Sequence, residues 1–460
     1  MPFSLEIQNF GKLTDATIHI GNLTVFAGPN NTGKSHVSKL LYSIFDAMNA
    51  NHAKARFDRL IRPISNHLGN FEALGYRNED YPLSPLRNCI GDMSKIADSF
   101  SAGNSEYESE LVALEQLYPN IKRFADEAKR QYEILRPSIE EWLKQEDHVN
   151  LAESSFEKIR ENIDQLHSTI SDADATSFLT TSIQSKIYQN LIRNFQVPNV
   201  VNLKGDTDSV THININGVGN FQIESKFTQP SIQYAGLFQL QRYSKVIYLE
   251  SPLYWKLSPA LETVSPRFHH SDRISLNGVP GYFFDLVKAL KSRVSGKMDF
   301  PDLFENLTKI LGGKLIISET GELLFSESER IFSMHLTATG VANLGMLALL
   351  IERNVLDKGA FLFIDEPEAH LHPAWQVIMA ETLFELAQQG VNVVIATHSV
   401  DILKWIEEKA EDDSATKDLV ALNHFSAEGV INGDKNFDAT LDGILQELTD
   451  PFTKMFLGGV

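Results

Sequence analysis

The stretch AGPNNTGKSHVSKLL, residues 27–41, limits the fold more than any other feature of this sequence. The apolar run 23–27 precedes it, and apolar side chains recur at helical spacing after it. Gly28 and Gly33 allow the backbone between them to curl, so that its N–H groups can converge on one anion. The sequence therefore predicts a buried strand, a phosphate-binding loop and a helix, in that order.

Residues 28–35 fit the pattern G-x-x-x-x-G-K-[ST], and each position has an expected role. Lys34 is expected to reach the β- and γ-phosphates of a nucleotide, and the Ser35 hydroxyl is expected to bind Mg²⁺. The backbone N–H of His36 is expected to face the α-phosphate. The residues predicted to bind the nucleotide are Gly28, Pro29, Asn30, Asn31, Thr32, Gly33, Lys34, Ser35 and His36.

An acidic pair ends a second apolar run, in GAFLFIDEPEAHLHP at residues 359–373. Adjacent residues of a strand face opposite ways, so the two carboxylates can have different roles. Asp365 is predicted to bind Mg²⁺, and Glu366 is predicted to act as general base on the attacking water. The next apolar run, NVVIATHS, ends in His398, which is predicted to contact the γ-phosphate.

The nearby His370 and His372 suggest a metal site together with Glu368. The two histidines are only two positions apart and lie just before Pro373. This spacing puts them neither on one helix face nor at the separation typical of zinc ligands. We therefore predict no metal site at these residues.

The pattern of apolar residues predicts the other elements. Alternating runs at 3–10 and 15–20 indicate a β-hairpin before the phosphate loop, and strand patterns return at 209–227 and 245–251. Turns are expected at Asn216-Gly217 and at Thr320-Gly321. Helical patterns cover 104–195 and 281–311, and from about residue 340 helices alternate with strands. The predicted fold class is α/β: a P-loop NTPase with a mainly parallel sheet, an antiparallel β-subdomain and an inserted helical lobe.

Within the helical region, local signals predict where individual helices begin. Pro119 and Pro137 are each expected at the first position of a new helix, because proline is favoured there. Ser154 and Glu157 have the spacing of a capping box, which predicts another helix start.

The net charge of −19 disfavours non-specific binding to duplex DNA, which depends on neutralising phosphates. The locally basic stretch 285–297 is interpreted as the solvated face of a helix, so nucleic acid stays possible as a partner but is not indicated by charge. No run of 18 or more apolar residues occurs, which predicts no membrane span. Acidic Glu6 disfavours a signal peptide, and the single cysteine, Cys89, cannot form an internal disulfide, so we expect a cytoplasmic protein.

The order of these motifs resembles the split heads of ABC-type ATPases. The similar group contains SMC, RecF and OLD-like proteins, and especially bacterial AAA family ATPases of the AAA_15/AAA_21 kind. The resemblance covers residues 1–45 and 330–410 and rests on IQNFGKL, GPNNTGKS and DEPEAHLHPAWQ. It implies ATP and Mg²⁺ as cofactors, Mg²⁺-dependent ATP hydrolysis, and ATP sites formed between two heads of a homo-oligomer, at least a head-to-head dimer.

The resemblance also implies roles for further residues. Thr339 and Gly340, in TATGVANLGMLALL, match the signature Ser-Gly that contacts the γ-phosphate held by the other subunit. Val341 and Ala342 depart from the family pattern at the following positions. Residues 369–372 match the segment that crosses the dimer interface. The glutamine of the family's Q-loop has three candidates, which are Gln233, Gln239 and Gln241.

By this resemblance the chain divides into four parts. They are the N-terminal part of the ATPase head at 1–50, a helical lobe at 51–205, the C-terminal part of the head at 206–410, and a tail at 411–460 that is expected to contact a partner or another copy.

Departures from the larger family members indicate the kind of function. The insert has no cysteine pair and no long coiled coil of the SMC kind, and the tail has no acidic cluster of the TOPRIM kind. The chain is thus similar to the nuclease-free ATPase subunits of bacterial anti-phage systems such as PARIS or Septu, which implies a separate effector such as a TOPRIM or HNH nuclease. The alternative is a RecF/SMC-like DNA repair or recombination ATPase that acts directly on DNA. An ABC transporter ATPase is disfavoured by the helical insert.

Overall fold

The computed structural model describes residues 3–76, 78–100, 110–144, 149–228, 230–250, 278–291, 297–319, 321–328, 330–426, 431–432 and 436–456. The chain forms two units, of which the first combines Met1–Asn49 with Ile187–Val460 and the second is Ala50–Lys186. The described helices include none that is long and apolar enough to cross a membrane.

One large mixed sheet organises the first unit. In the described residues it has eleven strands in the order β6-β5-β4-β1-β2-β14-β13-β3-β12-β11-β7. A separate antiparallel sheet has the order β10-β9-β8. The strands are β1 (Phe3–Phe10), β2 (Leu13–Ile20), β3 (Leu23–Ala27), β4 (Thr211–Ile215), β5 (Gly219–Ile223), β6 (Ser231–Ile232), β7 (Val246–Leu249), β8 (Lys314–Ile317), β9 (Leu323–Glu327), β10 (Arg330–Ser333), β11 (Phe361–Asp365), β12 (Asn392–Thr397), β13 (Val420–Phe425) and β14 (Ile431–Asn432).

The parallel half of the large sheet positions the functional residues. Strands β7, β11, β12, β3 and β13 run parallel to one another. In register, Thr397 pairs with Ala27, and Asp365 pairs with Ala396. Because the carboxyl ends of parallel strands meet at one edge, the loops after β3, β11 and β12 lie side by side although they are far apart in sequence.

Helices cover this sheet in the first unit. Helix α1 follows the phosphate loop and buries the apolar positions that its spacing predicts, including Leu40, Ile44 and Phe45. The Phe45 ring packs on Phe361 of β11 at a centroid distance of 5.1 Å. The helices of this unit are α1 (Lys34–Asn49), α7 (Tyr234–Gln241), α8 (Gly281–Lys291), α9 (Pro301–Leu311), α10 (Thr339–Glu352), α11 (Pro373–Gln388), α12 (Val400–Asp412), α13 (Ala415–Leu419) and α14 (Phe437–Phe456), joined by the end of α6 (Ala175–Phe195).

The second unit is helical. It contains α2 (His52–Ala73), α3 (Ser84–Ser99), α4 (Glu110–Leu143), α5 (Val149–Ser171) and the first part of α6. The predicted lobe extends to residue 205, whereas this unit ends at Lys186. The remainder of α6 belongs to the first unit, where the Asn190 amide donates to the Ser43 carbonyl of α1 at 3.0 Å.

Two local predictions in the helical region are wrong. Pro119 and Pro137 do not start helices but lie inside the continuous helix α4. Ser154 and Glu157 lie inside α5, which starts at Val149. In both helices a regular stripe of buried residues extends through these positions, for example Leu114, Tyr118 and Ile121 around Pro119. Burial of this stripe offsets the hydrogen bond that a proline removes, which is why the local signal does not set the helix boundary.

The predicted fold class is confirmed. The N-terminal hairpin is β1 and β2, and Asn216-Gly217 connects β4 to β5 as the pattern indicates. The antiparallel strands β1, β2, β4, β5 and β6 continue the large sheet rather than forming a separate layer. The turn expected at Thr320-Gly321 joins β8 to β9, with Thr320 itself outside the described residues. The helical pattern 281–311 forms two helices, and residues 292–296 between them also lie outside the described residues.

A buried asparagine allows a test of the packing between α6 and the head. Asn194 donates from Nδ2 to Ser43 Oγ at 2.9 Å and accepts from the Tyr282 N–H at 3.1 Å. Asn194→Ala leaves two buried polar groups without this partner, so we expect the free energy of unfolding to fall by ~1–3 kcal/mol. Urea unfolding followed by circular dichroism measures it. Asn306→Ala on the exposed face of α9 is the matched control, and an equal unfolding midpoint for the two variants would contradict the assignment.

Candidate functional site

The phosphate loop has the backbone conformation that its sequence requires. Gly28, Asn31 and Gly33 have φ values of 149°, 68° and 101°, which L side chains other than asparagine rarely adopt. A Cβ atom on Gly28 would lie 1.9 Å from the Phe425 carbonyl oxygen of β13. Helix α1 begins immediately after the loop, at Lys34. The loop therefore ends at a helix N-terminus, which favours an anion.

Lys34 folds back over the loop. Its ammonium donates hydrogen bonds to the carbonyl oxygens of Gly28 at 2.8 Å and Pro29 at 2.6 Å. Burial lowers the pKa of Lys34, and the nearby carboxylates, first Asp365 and then Glu368, oppose that change. A desolvated ammonium held only by neutral carbonyls can exchange those bonds for phosphate oxygens, so Lys34 is placed for the predicted phosphate contact.

Ser35 and Asp365 meet at the edge of the sheet. The Ser35 hydroxyl donates to Asp365 Oδ1 at 2.9 Å, and the Tyr248 hydroxyl lies 3.4 Å from Oδ2. Burial raises the pKa of Asp365 to about 6, because the Ser35 hydrogen bond only partly compensates for lost hydration. The contact thus joins the two predicted magnesium ligands, which stand at opposite ends of the sequence.

The geometry of this pair fits Mg²⁺. Magnesium takes oxygen ligands in octahedral geometry, where neighbouring ligands at ~2.1 Å from the ion are about 3 Å apart. The separation of Ser35 Oγ and Asp365 Oδ1, 2.9 Å, agrees with that spacing. A buried carboxylate with a raised pKa is also a site where a cation would relieve the cost of burial. Ser35 and Asp365 are therefore the residues that could hold the ion.

Glu366 lies next to this pair in an unusual backbone conformation. Its φ is 51°, its side chain is exposed, and its N–H donates to the Ala396 carbonyl of β12 at 2.9 Å. A left-handed conformation costs free energy for a residue other than glycine, and such residues concentrate at functional sites. The structure brings Glu366 to the same edge as the phosphate loop, and its role as general base stays a prediction.

His398 follows β12, and its environment contains a residue that the sequence analysis did not assign to the site. The carboxylate of Glu368 lies with Oε1 at 3.2 Å from His398 Nδ1 and accepts a hydrogen bond from the His398 N–H at 2.8 Å. Glu368 is only 6% exposed, whereas the His398 side chain is 41% exposed. The sequence signal for Glu368 is that it is the third acidic residue of the DEPE run.

A fourth carboxylate lies at the same edge of the sheet. Glu250 directly follows β7, and its Oε1 lies 3.0 Å from the Lys39 ammonium of α1. Its Oε2 accepts a hydrogen bond from the Tyr282 hydroxyl. The negative charge of Glu250 raises the pKa of Asp365, and the positive charge of Lys39 lowers it.

The glutamine candidates for a Q-loop lie elsewhere. Gln233 precedes α7, and Gln239 and Gln241 belong to it, all upstream of β7. None of the three is at the carboxyl end of a described strand of the parallel half. The residue in that position is Glu250, which the sequence analysis did not consider.

Thr339 and Gly340 form the start of α10. The N-cap of this helix is Ala338, whose side chain makes no capping bond. A Cβ atom on Gly340 would lie 2.9 Å from the His370 carbonyl oxygen, and the Asn343 amide donates to the Ala369 carbonyl at 2.8 Å. The helix N-terminus therefore packs on the segment that follows Glu366 in its own chain, and the contact with a second subunit stays a prediction.

The two histidines of that segment have structural roles. His370 has a φ of 62°, which turns the chain between β11 and α11. His372 is the N-cap of α11, and its Nδ1 accepts from the Ala374 N–H at 3.3 Å. Across the described residues, no group of three or more His, Cys, Asp or Glu side chains is arranged to hold a metal ion.

The His36 side chain packs against Phe195 and Gly11 rather than towards the phosphate loop. Its ring contacts Phe195 at a centroid distance of 5.8 Å, and it lies 3.3 Å from where a Cβ on Gly11 would be. Only its backbone N–H is therefore available for the predicted α-phosphate contact.

Comparison with known proteins agrees with this architecture. The family model AAA_15, described as an AAA ATPase domain, matches residues 3–403. None of the curated proteins compared with the sequence matches it.

Solved structures of Smc heads align along most of the chain at low similarity. The Smc head with an extended coiled coil bound to the C-terminal domain of ScpA from Pyrococcus furiosus is 12% identical, covers 97% of this chain and 100% of that chain, and has a TM-score of 0.31. The SmcHead bound to the C-winged helix domain of ScpA is 9% identical with coverages of 93% and 95% and a TM-score of 0.36.

The raised pKa of Asp365 predicts an unusual pH dependence of stability. Below pH ~4 the carboxyl is protonated in both states, and between about pH 4 and pH 6 the unfolded chain ionises first. The contribution of Asp365 to the free energy of unfolding therefore decreases as the pH rises from about 4 to about 6. A rise from 3.8 to about 6 corresponds to at most ~3 kcal/mol.

We expect Asp365→Asn to be more stable than the parent chain by ~1–3 kcal/mol at pH 8 without nucleotide, and to lose this advantage near pH 4. Chemical unfolding at several pH values measures the difference. Asp442→Asn, an exposed position on α14, is the matched control. A destabilised Asp365→Asn protein at pH 8 would contradict the assignment.

Proposed function

We propose that this chain, which belongs to the AAA_15 family of AAA ATPase domains, binds ATP with Mg²⁺ at the edge of the parallel sheet, hydrolyses it, and thereby controls the association of subunits and the activity of a separate effector. The hydrogen bond between Ser35 and Asp365 carries this proposal, because it joins the phosphate loop to the acidic strand end across 330 positions of sequence.

In the proposed hydrolysis each side chain at this edge has its own role. The ammonium of Lys34 leaves the carbonyls of Gly28 and Pro29 and binds the β- and γ-phosphate oxygens. Ser35 and Asp365 hold Mg²⁺, which when bound neutralises charge on the phosphates. Glu366 takes one proton from a water molecule as the water oxygen attacks the γ-phosphorus and the ADP oxygen leaves. His398 stabilises the negative charge on the γ-phosphoryl oxygens.

A second subunit completes the site in this proposal. The N-terminus of α10, with Thr339 and Gly340, supplies N–H groups that suit the γ-phosphate of another copy. The residues before that helix support an interface, since Ile331 and Leu336 are 60% and 79% exposed although both are large and apolar. We therefore propose a homo-oligomer that is at least a head-to-head dimer and that ATP holds together.

The effector in this proposal is a nuclease of the TOPRIM or HNH kind, and the setting is anti-phage defence in the cytoplasm. The support is the similarity of the motif order to nuclease-free ATPase subunits of such systems, so this part rests on family likeness. Direct action on DNA, as in a RecF/SMC-like repair ATPase, is disfavoured by the net charge of −19.

Glu366→Gln should keep ATP binding and stop hydrolysis, because the amide cannot accept the proton from water. We expect the variant to elute from gel filtration as a larger species with ATP and Mg²⁺ than without nucleotide. The parent chain should show the larger species only transiently, as it consumes ATP. Glu381→Gln, an exposed position on α11, is the control and should behave as the parent chain does.

An elution volume of Glu366→Gln that does not change with ATP would contradict the subunit switch. Adding duplex DNA to the parent chain separates the two functions. Stimulation of ATP hydrolysis by about tenfold or more would favour direct action on DNA over control of a separate effector.

A further inference from the structure

The carboxylate of Glu368 lies close to three groups at the end of β12. Its Oε1 accepts hydrogen bonds from the Thr397 hydroxyl at 2.8 Å and from the His398 N–H at 2.8 Å. The same oxygen lies 3.2 Å from Nδ1 of the His398 ring. One oxygen of Glu368 therefore holds the backbone of His398 by a hydrogen bond and lies beside the ring nitrogen Nδ1, which has no hydrogen-bond partner among the described residues.

Burial makes this arrangement costly unless a positive charge accompanies it. Glu368 is 6% exposed, and its second oxygen, Oε2, has no hydrogen-bond partner among the described residues. A buried carboxylate that is incompletely hydrogen-bonded is unfavourable unless a cation lies near it. The cationic candidates around it are the His398 imidazole and Lys34, whose pKa the charge of Glu368 raises.

A purely structural carboxylate would not need this position. The bonds to Thr397 and to the His398 N–H hold the chain turn after β12, and a neutral amide could make both. The charge acts on Lys34 and on the ring, where a carboxylate beside Nδ1 favours the proton on that nitrogen. The other ring nitrogen, Nε2, would then be the one that contacts a ligand.

We propose that Glu368 is a positioning residue for His398: it anchors the His398 backbone and places its carboxylate beside Nδ1, so that the imidazole takes the tautomer and orientation that present Nε2 to the γ-phosphate. This inference rests on the proposed function of His398. When the phosphate binds, the ring lies between two anions, and the N–H on Nε2 that a phosphate oxygen requires is supplied by a proton from solvent. Glu368 thereby links the segment after Glu366 to the end of β12.

A double-mutant cycle tests whether Glu368 acts through His398. Glu368→Gln keeps an oxygen that can accept from Thr397 and from the His398 N–H, so the variant should fold, and thermal unfolding checks this. We expect kcat for ATP to fall about tenfold or more while KM stays within about threefold. His398→Gln should lose at least as much, and the double variant should be no slower than His398→Gln within about twofold. Glu381→Gln is the control for loss of a carboxylate.

Multiplicative losses in the double variant would overturn the proposal, because they would show that Glu368 acts independently of His398. Loss of ATP binding in Glu368→Gln with an unchanged kcat would also overturn it. Glu368→Asp should recover part of kcat, since it restores the charge at a longer distance from Nδ1.

A spectroscopic measurement separates this inference from the proposed function. Long-range ¹H–¹⁵N correlation spectra report which ring nitrogen carries the proton, and the signal of His398 is assigned by its loss in His398→Gln. In the nucleotide-free parent chain we expect the proton on Nδ1, and in Glu368→Ala we expect this preference to disappear. The same tautomer in both proteins would overturn the positioning role. This readout does not require ATP turnover, so failure of the ATPase proposal would not hide it.

Discussion

The hydrogen bond from Ser35 to Asp365 is the interaction on which the rest of the site depends. It closes a loop of 330 residues and exists because β3 and β11 are parallel neighbours of β12. Parallel strands place their carboxyl ends at one edge, so the phosphate loop, the acidic pair and His398 share a small volume. The helical unit, Ala50–Lys186, is inserted in the sequence between the phosphate loop and the acidic pair, which both belong to the first unit.

Charge at this edge is unbalanced in a way that favours a cation and a nucleotide together. Four carboxylates, those of Asp365, Glu366, Glu368 and Glu250, share two ammonium groups, those of Lys34 and Lys39. Burial raises the pKa of Asp365 and lowers that of Lys34. Neither buried charge is well compensated by its present neighbours. Mg²⁺ would compensate Asp365 and phosphate oxygens would compensate Lys34, so the two ligands should bind cooperatively.

Sequence reasoning predicted the parts of the site that local chemistry specifies. The loop at 28–35 and the acidic pair after an apolar strand can be recognised because glycine φ values and strand periodicity constrain them directly. Pro119 and Ser154 were misinterpreted, because tertiary burial along α4 and α5 outweighs local helix signals. Glu368 and Glu250 could not be assigned from sequence, because their partners His398 and Lys39 are distant in the chain and known only from the fold.

The central claim is that Ser35 and Asp365 bind Mg²⁺ together with the nucleotide, and calorimetric titration of ATP with and without Mg²⁺ tests it most directly. The account predicts that Mg²⁺ tightens ATP binding to the parent chain by about tenfold or more, and to Asp365→Asn by no more than about twofold. An equal effect of Mg²⁺ on the two proteins would contradict it.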